Sequence, residues 1–294
     1  MIKISVVIRT LNEETYLDEL LESIKNQNKD NFSIECVIID SGSSDRTIEI
    51  ARSHGSLITH IKKEEFTFGK SLNLGTEFSS GDIISYISGH CIPTSKEWLN
   101  SLTKPIRDKI SGYTYGRQVG RDTTMFSEEQ IFQKYYPKSS KIPQDDFFCN
   151  NANSAIERNV WEKYKFDENL TGLEDLHLAK RYFNEGGKIS YVSDAMVFHI
   201  HNEQWRQTRN RYEREALALQ EIMPEVQVSF IDTLRYLLAA VLGDFAKAIS
   251  EGKFRKQFFN ILSFRFAQYW GIYRGNRELR VLSKEKKESY FYPK

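Results

Sequence analysis

Three short polar clusters follow apolar runs in the first hundred residues: Arg9-Thr10-Leu11-Asn12-Glu13, Asp40-Ser41-Gly42-Ser43-Ser44-Asp45 and Ser88-Gly89-His90. Each joins groups that can accept or donate protons with small hydroxyls or glycine that let a ligand approach the backbone. Taken singly, any one of them is ordinary turn chemistry. The Asp40 carboxylate can accept an imino N–H, which uracil, thymine and guanine possess, while Gly42 permits a tight turn. No G-x-G-x-x-G follows the first apolar run, and no G-x-x-x-x-G-K-[ST] occurs anywhere. The chain therefore lacks the signatures of a dinucleotide fold and of a P-loop.

The elements that must position these clusters are legible as alternation. Ile4–Ile8, Cys36–Ile39 and Ile83–Ile87 are β-branched apolar runs, expected of strands covered on both faces. Leu17, Leu20, Leu21 and Ile24 recur at helical spacing, and helices are expected over Asp45–His54 and Gly69–Ser79, stopped by Gly55 and Gly81. Strand–helix alternation predicts an α/β fold with a mostly parallel, Rossmann-like sheet flanked by helices and joined by right-handed crossovers. In such sheets ligands bind beyond the carboxyl ends of the strands, where the three clusters fall. Further on, Tyr113–Val119, Ile189–Val192 and Ala195–Ile200 read as strands and Glu174–Glu185 as a helix stopped by Gly186-Gly187. From Glu203 onward the chain reads as helical, broken at Pro224.

The runs Ser5-Val-Val-Ile-Arg-Thr-Leu-Asn-Glu13, Val37-Ile-Ile-Asp-Ser-Gly-Ser-Ser-Asp45, Phe68-Gly-Lys-Ser-Leu-Asn-Leu-Gly75, Gly81-Asp-Ile-Ile84 and Gly172-Leu-Glu-Asp175 resemble those of family 2 glycosyltransferases of the GT-A fold. The resemblance covers residues 3 to 201. It implies inverting transfer of a sugar from a UDP-, TDP- or GDP-linked donor to an acceptor hydroxyl, in polysaccharide or glycolipid synthesis. It also implies a catalytic domain over residues 1–202, with a nucleotide-binding half (1–110) and an acceptor half (111–202), followed by a helical extension over 203–294. By the same resemblance Thr10, Glu13 and Asp40 hold the nucleoside, and Lys70 and Asn73 lie near the diphosphate sugar. Asn12, Ser41, Gly42, Ser88 and Gly89 complete the expected donor-binding set.

One departure bears on metal use. Such enzymes usually carry an acidic D-x-D motif where this chain has Ser88-Gly89-His90. Imidazole can ligate Mn²⁺, whereas a serine hydroxyl is a poor anchor for Mg²⁺. Relatives with an aspartate-x-histidine version use that histidine together with a later one, which makes His90 and His199 the expected ligands of a divalent ion. A metal-independent enzyme is the alternative, and alternation along a strand would place His199 and His201 on one face. For chemistry, inverting transfer needs one carboxylate to take the acceptor's proton. Asp175 is the expected base, supported by Glu174. Against this, a pair of acids in a helix's first turn is also what the helix dipole favours, and that dipole lowers a carboxylate pKa whereas a base gains from a raised one. Asn150, Asn151 and Asn153 are either sugar-binding amides or turn residues.

Bulk properties narrow the setting. The 294 residues are 40% hydrophobic and carry 41 basic against 40 acidic side chains, net +1. From Gly252 to Lys294 there are 11 Lys and Arg against 3 Glu, a net of +8, which leaves −7 for the preceding 251 residues. A basic tail on an acidic body points to an anionic partner, and the polar clusters sit on the acidic part, which disfavours nucleic acid. Three widely spaced cysteines (Cys36, Cys91, Cys149) read as reduced thiols of a cytoplasmic protein. No apolar run reaches 18 residues. Phe230–Ile249, the nearest, contains Asp232, Arg235, Asp244 and Lys247. The stripes Leu234, Leu237, Leu238, Val241, Leu242, Phe245 and Phe258, Phe259, Leu262, Phe266, Tyr269, Trp270 fit either a lipid interface or packing on the catalytic domain or a second subunit. The expected partners are a donor nucleotide sugar, a saccharide or lipid-linked acceptor and the inner face of the cell membrane; oligomerisation is left open. A sugar nucleotidyltransferase, a basic-tailed binding module and a degenerate transferase kept for binding are the competing readings. The first would normally open with a G-x-G-x-R loop, and Arg9–Glu13 contains no glycine.

Overall fold

The computed structural model describes residues 1–29, 31–277 and 289–291, so residues 278–288 and 292–294 of the basic tail lie outside the described residues. Two compact units form. The first comprises Met1–Arg121, Tyr136–Asn169 and Glu174–Ile200; the second comprises Asp122–Tyr135, Leu170–Leu173 and the chain from His201.

The first unit is an α/β layer structure. Its strands are β1 (Ile2–Thr10), β2 (Phe32–Asp40), β3 (Leu57–His60), β4 (Ile83–Ser88), β5 (Cys91–Pro93), β6 (Tyr113–Val119), β7 (Asn153–Glu157) and β8 (Ile189–His199). Among the described residues they make one sheet of order β3-β2-β1-β4-β7-β6-β8-β5. β1 pairs in parallel with β2 and β4, and β2 with β3, while β7 runs antiparallel to β4 and β6, and β5 antiparallel to β8. Since β6 and β8 are parallel to each other, six strands point one way and only β5 and β7 oppose them. Ile4, Val6, Val7 and Ile8 are fully buried, as the unbroken apolar run requires of a central strand.

Six helices of this unit are α1 (Leu17–Lys25), α2 (Thr47–Ser53), α3 (Phe68–Phe78), α4 (Trp98–Arg107), and, skipping a helix of the second unit (α5, Phe126–Tyr135), α6 (Arg158–Tyr164) and α7 (Glu174–Asn184). The i, i+3, i+4, i+7 set of α1 is buried throughout. The Thr67 hydroxyl caps α3 by accepting from the Lys70 N–H.

Two expectations change. The strands read as Ile189–Val192 and Ala195–Ile200 are one strand, β8, which bulges between the residues facing Gly116 and Gln118. The Asn153 side-chain amide fills the bulge by donating to the Ala195 and Arg117 carbonyls. Asn153 itself opens β7, although Asn-Asn-Ala-Asn-Ser reads as turn; its Oδ1 accepts the indole N–H of buried Trp98 at 2.9 Å.

The second unit holds α5, α8 (Trp205–Ile222), α9 (Phe230–Ser250) and α10 (Phe254–Arg277). A Cβ at Gly271 would come within 2.3 Å of the Arg209 carbonyl, so α10 and α8 meet backbone to backbone. Phe126, Ala248 and Ile261 form a small core. Asp244 takes two hydrogen bonds from Arg265 at 2.7 and 2.8 Å, both residues buried. Glu128 is held down at about 2: burial alone would raise it, but the His201 hydrogen bond and the charges of His201 and Arg211 outweigh that. Among the described residues no helix is long and apolar enough to cross a membrane.

Replacing Trp98 by Ala removes a fully buried indole and strands Asn153 Oδ1. Loss of about 3–5 kcal/mol is expected, seen as a fall in the urea midpoint of the first unit; an unchanged midpoint would mean Trp98 does not anchor β7.

Candidate active site

Because six strands share a direction, Thr10, Asp40, Ser88, Val119 and His199 all end at one edge of the sheet. The register pairs Thr10 with Asp40 and Arg9 with Ser88, so the first three clusters are neighbours. Asp40, 2% exposed, accepts from the N–H groups of Gly42 and Ser43 at 2.9 and 3.0 Å and from the hydroxyls of Thr10 and Ser43 at 3.1 and 2.5 Å. Four donors fill the capacity of a carboxylate. Gly42 makes this turn at φ +102°, a conformation a side chain would resist. The Ser41 hydroxyl donates to the Thr10 carbonyl at 3.1 Å. Asn12, exposed and itself left-handed at φ 56°, gives its N–H to Ser43 and accepts from the Ser44 N–H at 2.8 Å, stitching the loops after β1 and β2 together.

Glu13, expected at the nucleoside, faces His90 instead: its Oε1 lies 3.0 Å from His90 Nδ1. A Cβ at position 89 would fall 2.8 Å from Glu13 Cγ, so Gly89 makes room for that carboxylate. The His90 and His199 rings stack with centroids 5.3 Å apart and an 18° tilt, and a nitrogen of each lies within 4.8 Å of the other. His199 Nδ1 is 2.7 Å from Gln118 Oε1. Both rings thus have Nδ1 on an oxygen, the second-sphere pattern of metal-binding imidazoles, and they fit a divalent ion at Nε2. Two imidazoles suit Mn²⁺ better than Mg²⁺. His201 belongs to the second unit, where Nδ1 contacts Glu128 at 2.8 Å.

Glu174 and Asp175 open α7, 5% and 6% exposed. The N–H groups of Asn151 and Leu176 donate to Asp175 Oδ2 and Oδ1 at 2.8 and 2.7 Å, each oxygen keeping a lone pair. Burial, and then the neighbouring Glu174 charge, push Asp175 up to about 7 against the pull of those N–H groups and Arg9. Desolvation therefore outweighs the helix dipole. Arg9 lies 3.5 Å from Glu174 Oε1 and stacks on the Phe68 ring at 4.6 Å. Sequence reading missed Arg9 as a member of this group and Gln118 entirely. The first lay within a quoted cluster; the second carries no local signal.

Of two residues expected near the diphosphate sugar, one is committed elsewhere and one stays exchangeable. Asn73 uses its amide twice as donor, to Phe166 O and Glu168 Oε1, and twice as acceptor, from Trp161 Nε1 and the Phe166 N–H. Being 4% exposed and fully engaged, it ties α3 to the chain after α6 and has no hydrogen bond left for a diphosphate. Lys70 Nζ meets Glu65 at 3.3 Å across the surface, an exchangeable contact.

Titration of Asp175 has a stability signature. Below about pH 4 it is protonated in folded and unfolded chains alike. Between about 4 and 7 the unfolded chain ionises first, so stability falls as pH rises. The Asp175→Asn variant is expected to gain stability relative to the parent from about pH 4 to pH 8, read as the difference in urea midpoints. A difference independent of pH would dispose of the raised pKa.

Residues 5–165 match the family described as Glycosyl transferase family 2. The O-antigen chain rhamnosyltransferase RfbN of Salmonella typhimurium is 26% identical over 222 residues, 71% of this chain and 70% of RfbN. WbaN of Salmonella anatum, another O-antigen chain rhamnosyltransferase, is 29% identical over 199 residues, and the match spans 62% of its length, under two thirds. Among solved structures, the mannosyltransferase PcManGT from Pyrobaculum calidifontis, in complex with GDP-Man and Mn²⁺, superposes with TM-score 0.58 at 18% identity over 92% of this chain and 72% of that one. TarS 1–349 of S. aureus, in complex with UDP-GlcNAc, gives 0.53 at 17% identity, covering 75% of this chain and 67% of that one. The structural likenesses establish the GT-A type fold, and the family match spans more than half the chain. With both in place, this chain belongs to glycosyl transferase family 2.

Proposed function

We propose that the chain moves a sugar from a nucleoside diphosphate donor to an acceptor hydroxyl, with inversion at the anomeric carbon and Asp175 as base. The observation that carries the reading is a buried carboxylate whose proton affinity is raised close to neutrality, beside the exit edge of the sheet. The acceptor oxygen attacks the anomeric carbon as its proton passes to Asp175; the bond from that carbon to the diphosphate oxygen breaks, and the electron pair leaves with the diphosphate. Glu174 holds Arg9 and raises Asp175. Thr10, Asn12, Asp40, Ser41 and Gly42 shape the nucleoside end, and a base imino group reaching Asp40 takes the place of the Thr10 or Ser43 hydroxyl. Ser88, Gly89, His90 and His199 lie at the diphosphate end, where a bound Mn²⁺ would offset the charge of the departing group. PcManGT and TarS hold GDP- and UDP-linked sugars, which supports such a donor, and the O-antigen chain rhamnosyltransferases RfbN and WbaN support a saccharide acceptor. In this reading residues 1–110 bind the nucleotide and 111–202 the acceptor.

Thermal shifts with UDP, TDP and GDP, with and without Mn²⁺, are expected to single out one nucleotide; saturation at a hundred times Kd stabilises by about 2.7 kcal/mol. Asp175→Asn retains that shift and loses kcat by about 10²–10⁴. Full turnover in the variant removes Asp175 as base.

The helical unit supports a peripheral membrane setting near the inner leaflet. Phe230, Tyr273, Trp270 and Phe266 form a chain of ring contacts at 5.4, 5.6 and 6.1 Å, and Phe230, Phe266 and Trp270 are 50%, 55% and 38% exposed. Arg255, Lys256 and Arg277 are exposed on the same helix α10. Aromatic rings with basic flanks suit an anionic lipid interface. Sedimentation with phosphatidylglycerol vesicles is expected, weakened at least fivefold in a Phe266→Ser/Trp270→Ser double variant and absent with phosphatidylcholine. Equal sedimentation of parent and variant removes the rings from the interface.

A further inference from the structure

We propose that Gln118 is a positioning residue that sets the tautomer of His199, and that Glu13 does the same for His90, so that both rings present Nε2 to a common ion. The inference rests on the metal reading above and deepens it.

The polarity of the Gln118 amide follows from a donor that leaves no choice. The backbone N–H of Ala152 donates to Asn150 Oδ1 at 3.0 Å, so that atom is an acceptor. Gln118 Nε2 donates to the same oxygen at 3.0 Å, which turns Gln118 Oε1 toward His199 Nδ1 at 2.7 Å. An amide oxygen only accepts, so Nδ1 carries the proton and the lone pair of the neutral ring is on Nε2. Gln118 is 1% exposed and cannot swing away into water. At the other ring Glu13 Oε1, 3.0 Å from His90 Nδ1, accepts in the same sense, and the absence of a side chain at Gly89 lets it approach. The two anchors, one on strand β6 and one in the loop after β1, are of different acceptor types yet impose one tautomer on two stacked rings. The shared tautomer puts the lone pair of each neutral ring on Nε2, as ligands of one ion through Nε2 require.

The test separates tautomer from metal. In the metal-free full chain, ¹⁵N–¹H correlation of ring nitrogens is expected to show His199 and His90 protonated at Nδ1. Gln118→Leu should give a mixture at His199 only, while Gln118→Glu, which still accepts at Nδ1, keeps the parent signature. Mn²⁺ titration followed by electron paramagnetic resonance should then show affinity 10–100-fold weaker in Gln118→Leu and within a fewfold of the parent in Gln118→Glu. Protonation at Nε2 in the parent overturns the proposal, as does equal Mn²⁺ affinity in the parent and a folded Gln118→Leu chain. If the parent shows the Nδ1 tautomers and binds no Mn²⁺, the metal reading itself falls and the ligation role with it.

Discussion

Everything at the reacting edge depends on the parallel register of β1 with both of its neighbours. Parallel strands all exit on one side, and each exit must dispose of backbone groups that no longer have a ladder partner. Here the sequence supplies a polar side chain at the exits of β1, β2, β4 and β8, and the polar side chains at and just beyond the first two bond mainly to one another's loops. Asp40 gathers four donors, Asn12 bridges two loops, and Glu13 reaches across to His90. The loops are consequently held by side-chain chemistry belonging to adjacent strands. A rigid rim of this kind is what a phosphorylated ligand needs if binding is not to cost the ordering of several loops.

Two opposite electrostatic problems are solved, one in each unit. Asp175 keeps its proton easily because burial and Glu174 outweigh two backbone donors and the Arg9 cation. Glu128, in the helical unit, shows the reverse balance: equally buried, it is held ionised by His201 and Arg211. The comparison shows that burial alone decides little. A carboxylate's charge state follows from whether cationic partners are within hydrogen-bond reach, and Arg9 at 3.5 Å faces Glu174 and not Asp175.

Much of this was legible before coordinates. Strand β6 was read to the residue, and the β-branched runs gave β1, β2 and β4 because a central parallel strand leaves little room for polar side chains. The exit-edge location of Asp40 and His90 followed from that alone. What escaped was long-range. Asn73 looks like a surface amide in a polar helix, and only the fold brings Trp161, Phe166 and Glu168 to it. Gln118 sits in an ordinary alternating strand, and its importance arises from a contact 81 residues away. β7 was hidden because its opening asparagines have turn chemistry, and a bulge in a distant strand is what employs Asn153.

The missing side chain at position 89 constrains how the motif around it can change. Glu13 lies against Gly89 and pairs with an imidazole at position 90. Were position 90 to become aspartate, two carboxylates would face each other at the same spot, and a bulky residue at 89 would push Glu13 off the site. What position 90 can hold is therefore tied to the residue at position 13, since two carboxylates there would need a bound cation between them.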